Sequence, residues 1–370
     1  MFLKWTRFLF YGAGLLVFTE ALLTLGQRLS ASPIFPSPVF AGGRTSEEAV
    51  RDALRRARYK PHARRFDKAL NSGGFVDDEP FAAGDRDLVI ALLADSFGVG
   101  VVPFAYNFAT VAERRLRHAI GGNFARVAVH NFGVAGVGLP EYYYLMRTEA
   151  LATKPSLVVV CLFVGNDIEP GLGGRPAAGR TWLRDRLVLR VPRRVWTFID
   201  ERRRGGARDL GTDDRFRRDV PAYVRDFRLE PPSFTQRRYL EIERQRLEVC
   251  RTDSPEVDSR YEGVYRLLRE FQAALGGKLL VVLIPDEFQV NDSLWAEAAR
   301  KPAGLDRALP QKRIGAFCRR SKIAVLDLLP VLTAAQRGGP VYHLRDTHWN
   351  ARGNRLAGEA IADWVVKHGL

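Results

Sequence analysis

The stretch Leu88-Val89-Ile90-Ala91-Leu92-Leu93-Ala94-Asp95-Ser96-Phe97-Gly98-Val99-Gly100 runs from seven unbroken apolar residues into a polar, glycine-bearing turn. Apolar runs without alternation are what strands buried on both faces of a parallel sheet require. Runs of the same kind recur at 127–131, 157–163, 278–284 and 323–328. Stretches with helical spacing at 106–120, 140–153, 261–275, 311–320 and 351–368 lie between and after them. Five strands alternating with helices predict a three-layer α/β/α sandwich around a five-stranded parallel sheet. In such sheets the reactive groups gather at the carboxyl ends of the strands, so the residues that follow each run carry the functional reading.

Four blocks stand out. Ser96 sits at a strand-to-helix turn with small neighbours, where a hydroxyl is exposed and its own N–H can face an oxyanion. Asp95 and Ser96 would look the same if they only capped a turn. After the second run, Gly133, Gly136 and Gly138 let backbone approach a ligand and offer N–H groups, or make a flexible loop. After the third, Gly165-Asn166-Asp167 can aim a side-chain amide at an oxyanion, or form an Asx-turn. Near the C-terminus, Asp346-Thr347-His348 precedes a long amphipathic helix. His348 suits a general base with Asp346 holding its tautomer; a capping Asp beside a surface His is the alternative. Together the blocks supply a nucleophile, oxyanion donors and a base with its orienter, the set that acyl transfer needs.

Ala94-Asp95-Ser96, Gly136, Gly165-Asn166-Asp167 and Asp346-Thr347-His348 resemble the four blocks of the SGNH (GDSL-type) hydrolase superfamily. The resemblance runs from about residue 88 to the C-terminus, an insertion at about 169–260 excepted, and implies a flavodoxin-like SGNH fold. It implies Ser96 as nucleophile, His348 as base and Asp346 as the acid that orients it. The backbone amides of Ser96 and Gly136 and the side chain of Asn166 would form the oxyanion hole. The family's first block usually begins with Gly, here Ala94. Its last usually reads Asp-x-x-His, and the acid position is occupied here by Arg345. The string Asp346-Thr347-His348-Trp349 is instead similar to the motif of alginate O-acetyltransferases, although there it precedes the serine. The activity implied is that of a serine esterase or O-acyltransferase on acyl, foremost acetyl, esters of a cell-surface glycan or related substrate.

The remaining features are weaker. His343 is a competing base with no acid at a useful offset before it. Asp286 and Gln289, at the end of the fourth run, are candidate substrate contacts. Cys161, Cys250 and Cys318 share no metal or disulfide spacing, and Cys161 reads as a buried apolar residue. No P-loop, dinucleotide fingerprint or zinc motif appears, and serine chemistry requires neither cofactor nor metal.

The chain ends and middle organise the rest. Residues 8–25 form an apolar stretch after Lys4 and Arg7, broken by Glu20 and two threonines. It is read as an N-terminal transmembrane helix within a membrane-anchor segment 1–30, with a signal peptide as the alternative. The catalytic domain is accordingly expected outside the cytoplasm. Residues 31–85 are rich in Pro, Gly and Arg and read as a basic linker with a short helix; 86–370 is the catalytic domain. Within it, about 169–260 breaks the strand–helix rhythm and reads as a mostly helical insertion above the strand ends.

With 46% hydrophobic and 27% charged residues the chain can bury a sizeable core, which excludes a disordered chain and a multi-span membrane protein. The net charge of +15, mostly from Arg, admits an anionic partner. Nucleic acid is disfavoured, since no stacking motif or recognition helix accompanies the charge. Two alternatives share these residues: a lipase or thioesterase, and a non-catalytic glycan- or lipid-binding module.

Overall fold

The computed structural model describes residues 47–169, 229–300 and 303–369, together with positions 18, 19 and 22. Its centre is a parallel sheet of five strands: β1 (Asp87–Leu93), β2 (Arg126–Asn131), β3 (Leu157–Phe163), β4 (Leu279–Ile284) and β5 (Ala324–Asp327). Their spatial order is β2-β1-β3-β4-β5, the doubly wound order whose switch point lies between β1 and β3. In register, Leu92 faces Asn131, Leu93 faces Val160 and Phe163 faces Ile284. The turns carrying Ser96, Gly133 and Asn166 therefore leave neighbouring strands at the same rim.

Helices cover both faces, as the continuous apolar runs demand. On one side α1 (Phe108–Ile120) packs against β2 and against the C-terminal helix α6 (Ala351–Lys367). Gly358 permits the close approach, because a Cβ there would lie 2.5 Å from the Phe108 carbonyl. On the other side lie α2 (Leu139–Thr148), α4 (Pro255–Leu275) and α5 (Leu309–Arg320). The rings of Tyr143 and Phe271 meet edge to face at 5.2 Å, and those of Tyr265 and Phe317 stack at 4.4 Å. Helix α4 begins earlier than its apolar spacing shows, because Ser254 caps it and Pro255 occupies the first turn. Cys161, Cys250 and Cys318 are buried free thiols.

Three regions differ from the sequence-based expectation or lie beyond the described residues. Among the described residues no helix is long and apolar enough to cross a membrane, which corrects the expected transmembrane helix. Glu20, Thr19 and Thr24 interrupt the apolar run on which it rested. Most of 8–25 lies outside the described residues. Residues 58–83, which composition reads as linker, instead pack against the domain. Phe66, Leu70, Phe75 and Val76 are buried, Phe75 meets Phe132 edge to face at 5.2 Å, and Asp77 accepts from the Asn131 N–H at 2.7 Å. Arginine and glycine between these apolar residues conceal a pattern that only the partner surface reveals. Of the insertion, 170–228 lies outside the described residues. Its described end forms α3 (Gln236–Arg246) and a 3-10 turn, Leu247–Cys250, before α4 rejoins the sandwich.

Candidate active site

Ser96 opens a single helical turn, Ser96–Val99, directly after β1, and Asp95 caps it by accepting from the Phe97 N–H at 2.9 Å. The next loop is drawn against this turn. A Cβ on Gly98 would lie 2.8 Å from the Cα of Gly133, so both positions require glycine. Asn131, at the end of β2, and Asn107, at the cap of α1, each donate a side-chain amide to the Gly98 carbonyl at 2.8 Å. Asn131 also accepts from the Gly133 N–H at 3.0 Å. The Val134 N–H reaches the Ala94 carbonyl at 3.1 Å, so the Gly136 loop runs beside the serine turn. Gly136 itself is exposed with φ +74°, a left-handed conformation that favours glycine.

His348 comes from the far end of the chain. Its Nε2 lies 2.8 Å from Ser96 Oγ and its Nδ1 2.6 Å from Asp346 Oδ1. The same oxygen accepts from the His348 N–H at 3.0 Å. The neighbouring residues make this convergence possible. Trp349 is buried edge to face on Phe97 at 4.7 Å and on Phe108 at 5.7 Å. Phe97 in turn contacts Phe163 at 4.7 Å and the His348 ring at 5.4 Å. The residue after the serine therefore packs on the residue after the histidine, and apolar burial fixes the polar pair. Asn350 caps α6 and donates to the carbonyls of Pro340 and Tyr342 at 3.0 and 3.1 Å. Asn354 caps α1 by accepting from the Phe108 N–H at 3.1 Å.

Burial by itself would raise the Asp346 carboxyl. The hydrogen bond from His348 and the imidazolium charge outweigh burial, with help from Ser233 and His343, and hold it well below the usual carboxylate range. Asp346 is thus a permanent anion on Nδ1. Asp95 behaves oppositely: burial raises it, while the Phe97 N–H, the charges of His348 and Arg246, and the Asn166 amide restrain the rise.

Asn166 is half-buried in the turn after β3, the strand beside β1. Asp167 is fully buried, accepting from the Phe163 N–H at 2.8 Å and from the Tyr142 hydroxyl at 3.2 Å. Burial and the neighbouring Asp95 push its carboxyl up, and its two hydrogen bonds tie the turn to β3 and α2. A Cβ at Gly165 would overlap the Asp286 carboxylate, so this block also needs its glycine.

Three expectations are corrected. Asp286 is fully buried as the cap of the turn Glu287–Val290, with Arg246 Nη1 3.5 Å from its Oδ2. Gln289 is buried and donates to the Arg307 carbonyl at 2.6 Å and to Gln311 at 2.7 Å. Both side chains are engaged in interior hydrogen bonding in the turn that follows β4. His343 is buried and paired through Nδ1 with Glu230, so it does have an acid, but one supplied by the insertion and not aimed at Ser96. Sequence reading also missed Asn107 and Asn131, and gave no packing role to Phe97 and Trp349. An Asn ending a strand and a Trp following the histidine were the available signals. Among the described residues no cluster of His, Cys, Asp and Glu could hold a metal ion.

Residues 245–369 match a family described as the SGNH hydrolase-like domain of the acetyltransferase AlgX. No curated protein matches the chain. Solved structures with a similar fold include the acetyl xylan esterase AlAXEase, at 12% identity over 75% of this chain and 100% of that one, with a TM-score of 0.41. Another is Est24, a carbohydrate acetylesterase from Sinorhizobium meliloti, at 15% identity over 76% and 99% with a TM-score of 0.38. A third is a lipolytic G-D-S-L family protein from Veillonella parvula, at 15% identity over 76% and 100% with a TM-score of 0.38. Likenesses of this size bear on neither substrate nor mechanism. The matched family span contains the Asp346-Thr347-His348-Trp349 loop, and that loop meets Ser96 at the rim of the five-stranded sheet. Residues 245–369, about a third of the chain, are thus similar to the SGNH hydrolase-like domain of the acetyltransferase AlgX.

Proposed function

We propose that this chain is a serine-dependent esterase or O-acyltransferase acting on acetyl esters of a glycan, with Ser96, His348 and Asp346 as its triad. The observation that carries this reading is the unbroken relay from Ser96 Oγ through His348, at 2.8 and 2.6 Å, to a buried Asp346 held ionised. His348 Nε2 takes the proton as Oγ attacks the acyl carbonyl. Asp346 keeps the proton on Nδ1 and balances the imidazolium that forms. The tetrahedral oxyanion is met by the N–H groups of Ser96 and Gly136 and by the Asn166 amide. When the alcohol leaves, it takes the proton from Nε2, and water or a sugar hydroxyl then releases the acyl group by the same steps in reverse. The acetyl group is supported by the acetyltransferase description of the matched family, and the glycan by the resemblance of the Asp-Thr-His-Trp string to the alginate O-acetyltransferase motif.

The test is labelling of the full chain with a fluorophosphonate, followed by acetyl transfer from an activated ester with and without acetyl-free oligosaccharide acceptors. Label on Ser96, and acetylated sugar (transfer) or free acetate (hydrolysis) from the activated ester, are the expected results. Absence of label, with no turnover of any acyl ester, would make the chain a binding module. Turnover confined to long-chain esters would make it a lipase.

Asn166→Ala is expected to lower kcat by about 10²–10³ with little change in KM, because an oxyanion donor binds the transition state more strongly than the ground-state carbonyl. A change in KM alone would place Asn166 in substrate binding instead.

A further inference from the structure

We propose that residues 59–77, which precede the sheet in the chain, set the two backbone donors of the oxyanion hole against each other, with Arg65 and Asp77 as positioning residues. This inference rests on the triad and oxyanion reading above.

The Ser96 and Gly136 N–H groups lie on two separate short loops, so something outside each loop must fix its aim. Ser96 opens a single helical turn that ends at Val99, and Gly136 lies in the loop between β2 and α2. The segment 59–77 touches both. It folds back as a small hairpin, Arg64–Arg65 paired antiparallel with Lys68–Ala69. A turn follows in which Asn71 Oδ1 accepts from the N–H groups of Gly73 and Phe75, each at 3.0 Å. The apolar residues it carries meet the catalytic loops. Leu70 and Val76 form a small core with Val99 of the serine turn, and Ala135 packs against that core. Ala135 shares a planar peptide with Gly136, so its packing sets the direction of the N–H that meets the oxyanion.

Two polar contacts lock this core in place. The buried Arg65 guanidinium, beside the rings of Tyr59 and Phe66, donates to the Gly100 carbonyl at the end of the serine turn. The Gly100 N–H closes that turn on the Ser96 carbonyl at 2.8 Å, so the contact reaches Ser96 through one residue. Asp77 Oδ2 accepts from the Asn131 N–H at 2.7 Å where the glycine loop leaves β2. Asn131 is the residue whose side chain joins Gly98 to Gly133, so Asp77 fixes the backbone of the bridge between the two loops. Arg65 and Asp77 therefore act on the reaction through the loops they hold. The aim matters because a site held more loosely than about 0.5 Å from its productive geometry loses much of its effect.

In the full chain, Arg65→Met, which keeps an apolar stem and loses the donor, and Asp77→Ala are each expected to lower kcat for an activated acetyl ester by about tenfold to a hundredfold. KM should stay within about twofold, since misplaced oxyanion donors weaken the transition state more than the ground state. Asp77→Asn, whose amide oxygen accepts in place of the carboxylate, should recover most of the rate. Fluorophosphonate labelling separates positioning from damage to the fold. Misplaced donors slow the labelling of Ser96 while every molecule still reacts; partial unfolding leaves a fraction unlabelled and the rest reacting at the parent rate. Slow but complete labelling is the expected result. Partial labelling at the parent rate, aggregation of both variants, or parent kcat in both would overturn the proposal. Ser96→Ala in the same assay keeps the two readings apart. If it stays active, the triad reading fails and this inference with it, whereas an inactive Ser96→Ala beside unaffected Arg65→Met and Asp77→Ala sinks the positioning role alone.

Discussion

Ser96→Ala is expected to remove about 10⁴–10⁶-fold of the turnover of small activated acetyl esters, the range that loss of a triad nucleophile costs. The fold should survive. Ser96 is half-exposed, its side chain makes one hydrogen bond to His348, and the packing of the turn depends on its neighbours Phe97 and Gly98. A melting temperature within a degree or two of the parent is the matching expectation, since surface substitutions away from packed features change little. Steady-state kinetics and a thermal melt on the same preparation check both. Retention of more than about a tenth of the activity, far outside the triad range, would show that another group attacks the ester.

Asp346→Asn should cost about 10³–10⁴ in kcat, because an amide donates where a carboxylate accepts and so favours the imidazole tautomer that cannot take the serine proton. The backbone bond from the His348 N–H to position 346 at 3.0 Å can persist through the amide oxygen, which keeps the loop in place and isolates the effect on the ring. Arg345→Ala, one residue away, should stay within about threefold, since the side chain at that left-handed position contributes to neither His348 nor Ser96. Asp286 is the other acid that sequence position suggested for His348. It is buried as a turn cap and engaged by Arg246, while His348 Nδ1 is taken by Asp346. If Asp346→Asn kept most of its activity and Asp286→Asn took the large loss, this assignment of the acid would be wrong.

The strands β1 to β4 were legible because they are buried on both faces, so no polar alternation interrupts the run; β5, at the edge, is half-buried. The expected 88–93 became Asp87–Leu93, and 278–284 became Leu279–Ile284. The helix spacing was equally clear where one face packs on the sheet, as in Ala351–Lys367. The first three polar blocks were legible for a related reason: each follows a strand, and a doubly wound sheet delivers all such turns to one rim. Residues 58–83 were not legible, since their buried side chains are spaced by no regular element and acquire meaning only against Phe132 and Asn131.

The sequence by itself therefore determined the layer architecture, the rim where chemistry collects, and the identities of Ser96, Asn166, Asp346 and His348 as the polar residues there. Periodicity and strand-end position are local properties, readable from a short window. It could not determine which acid serves His348, whether His343 competes, or what supports the loop, because those depend on groups far apart in the chain that meet only after the core forms. Ser96 and His348 are 252 residues apart and are brought to 2.8 Å by Phe97 packing on Trp349. His343 is removed from contention by Glu230, 113 residues earlier. Apolar burial set these distances, and the hydrogen bonds of the site took whatever partners that packing placed within reach.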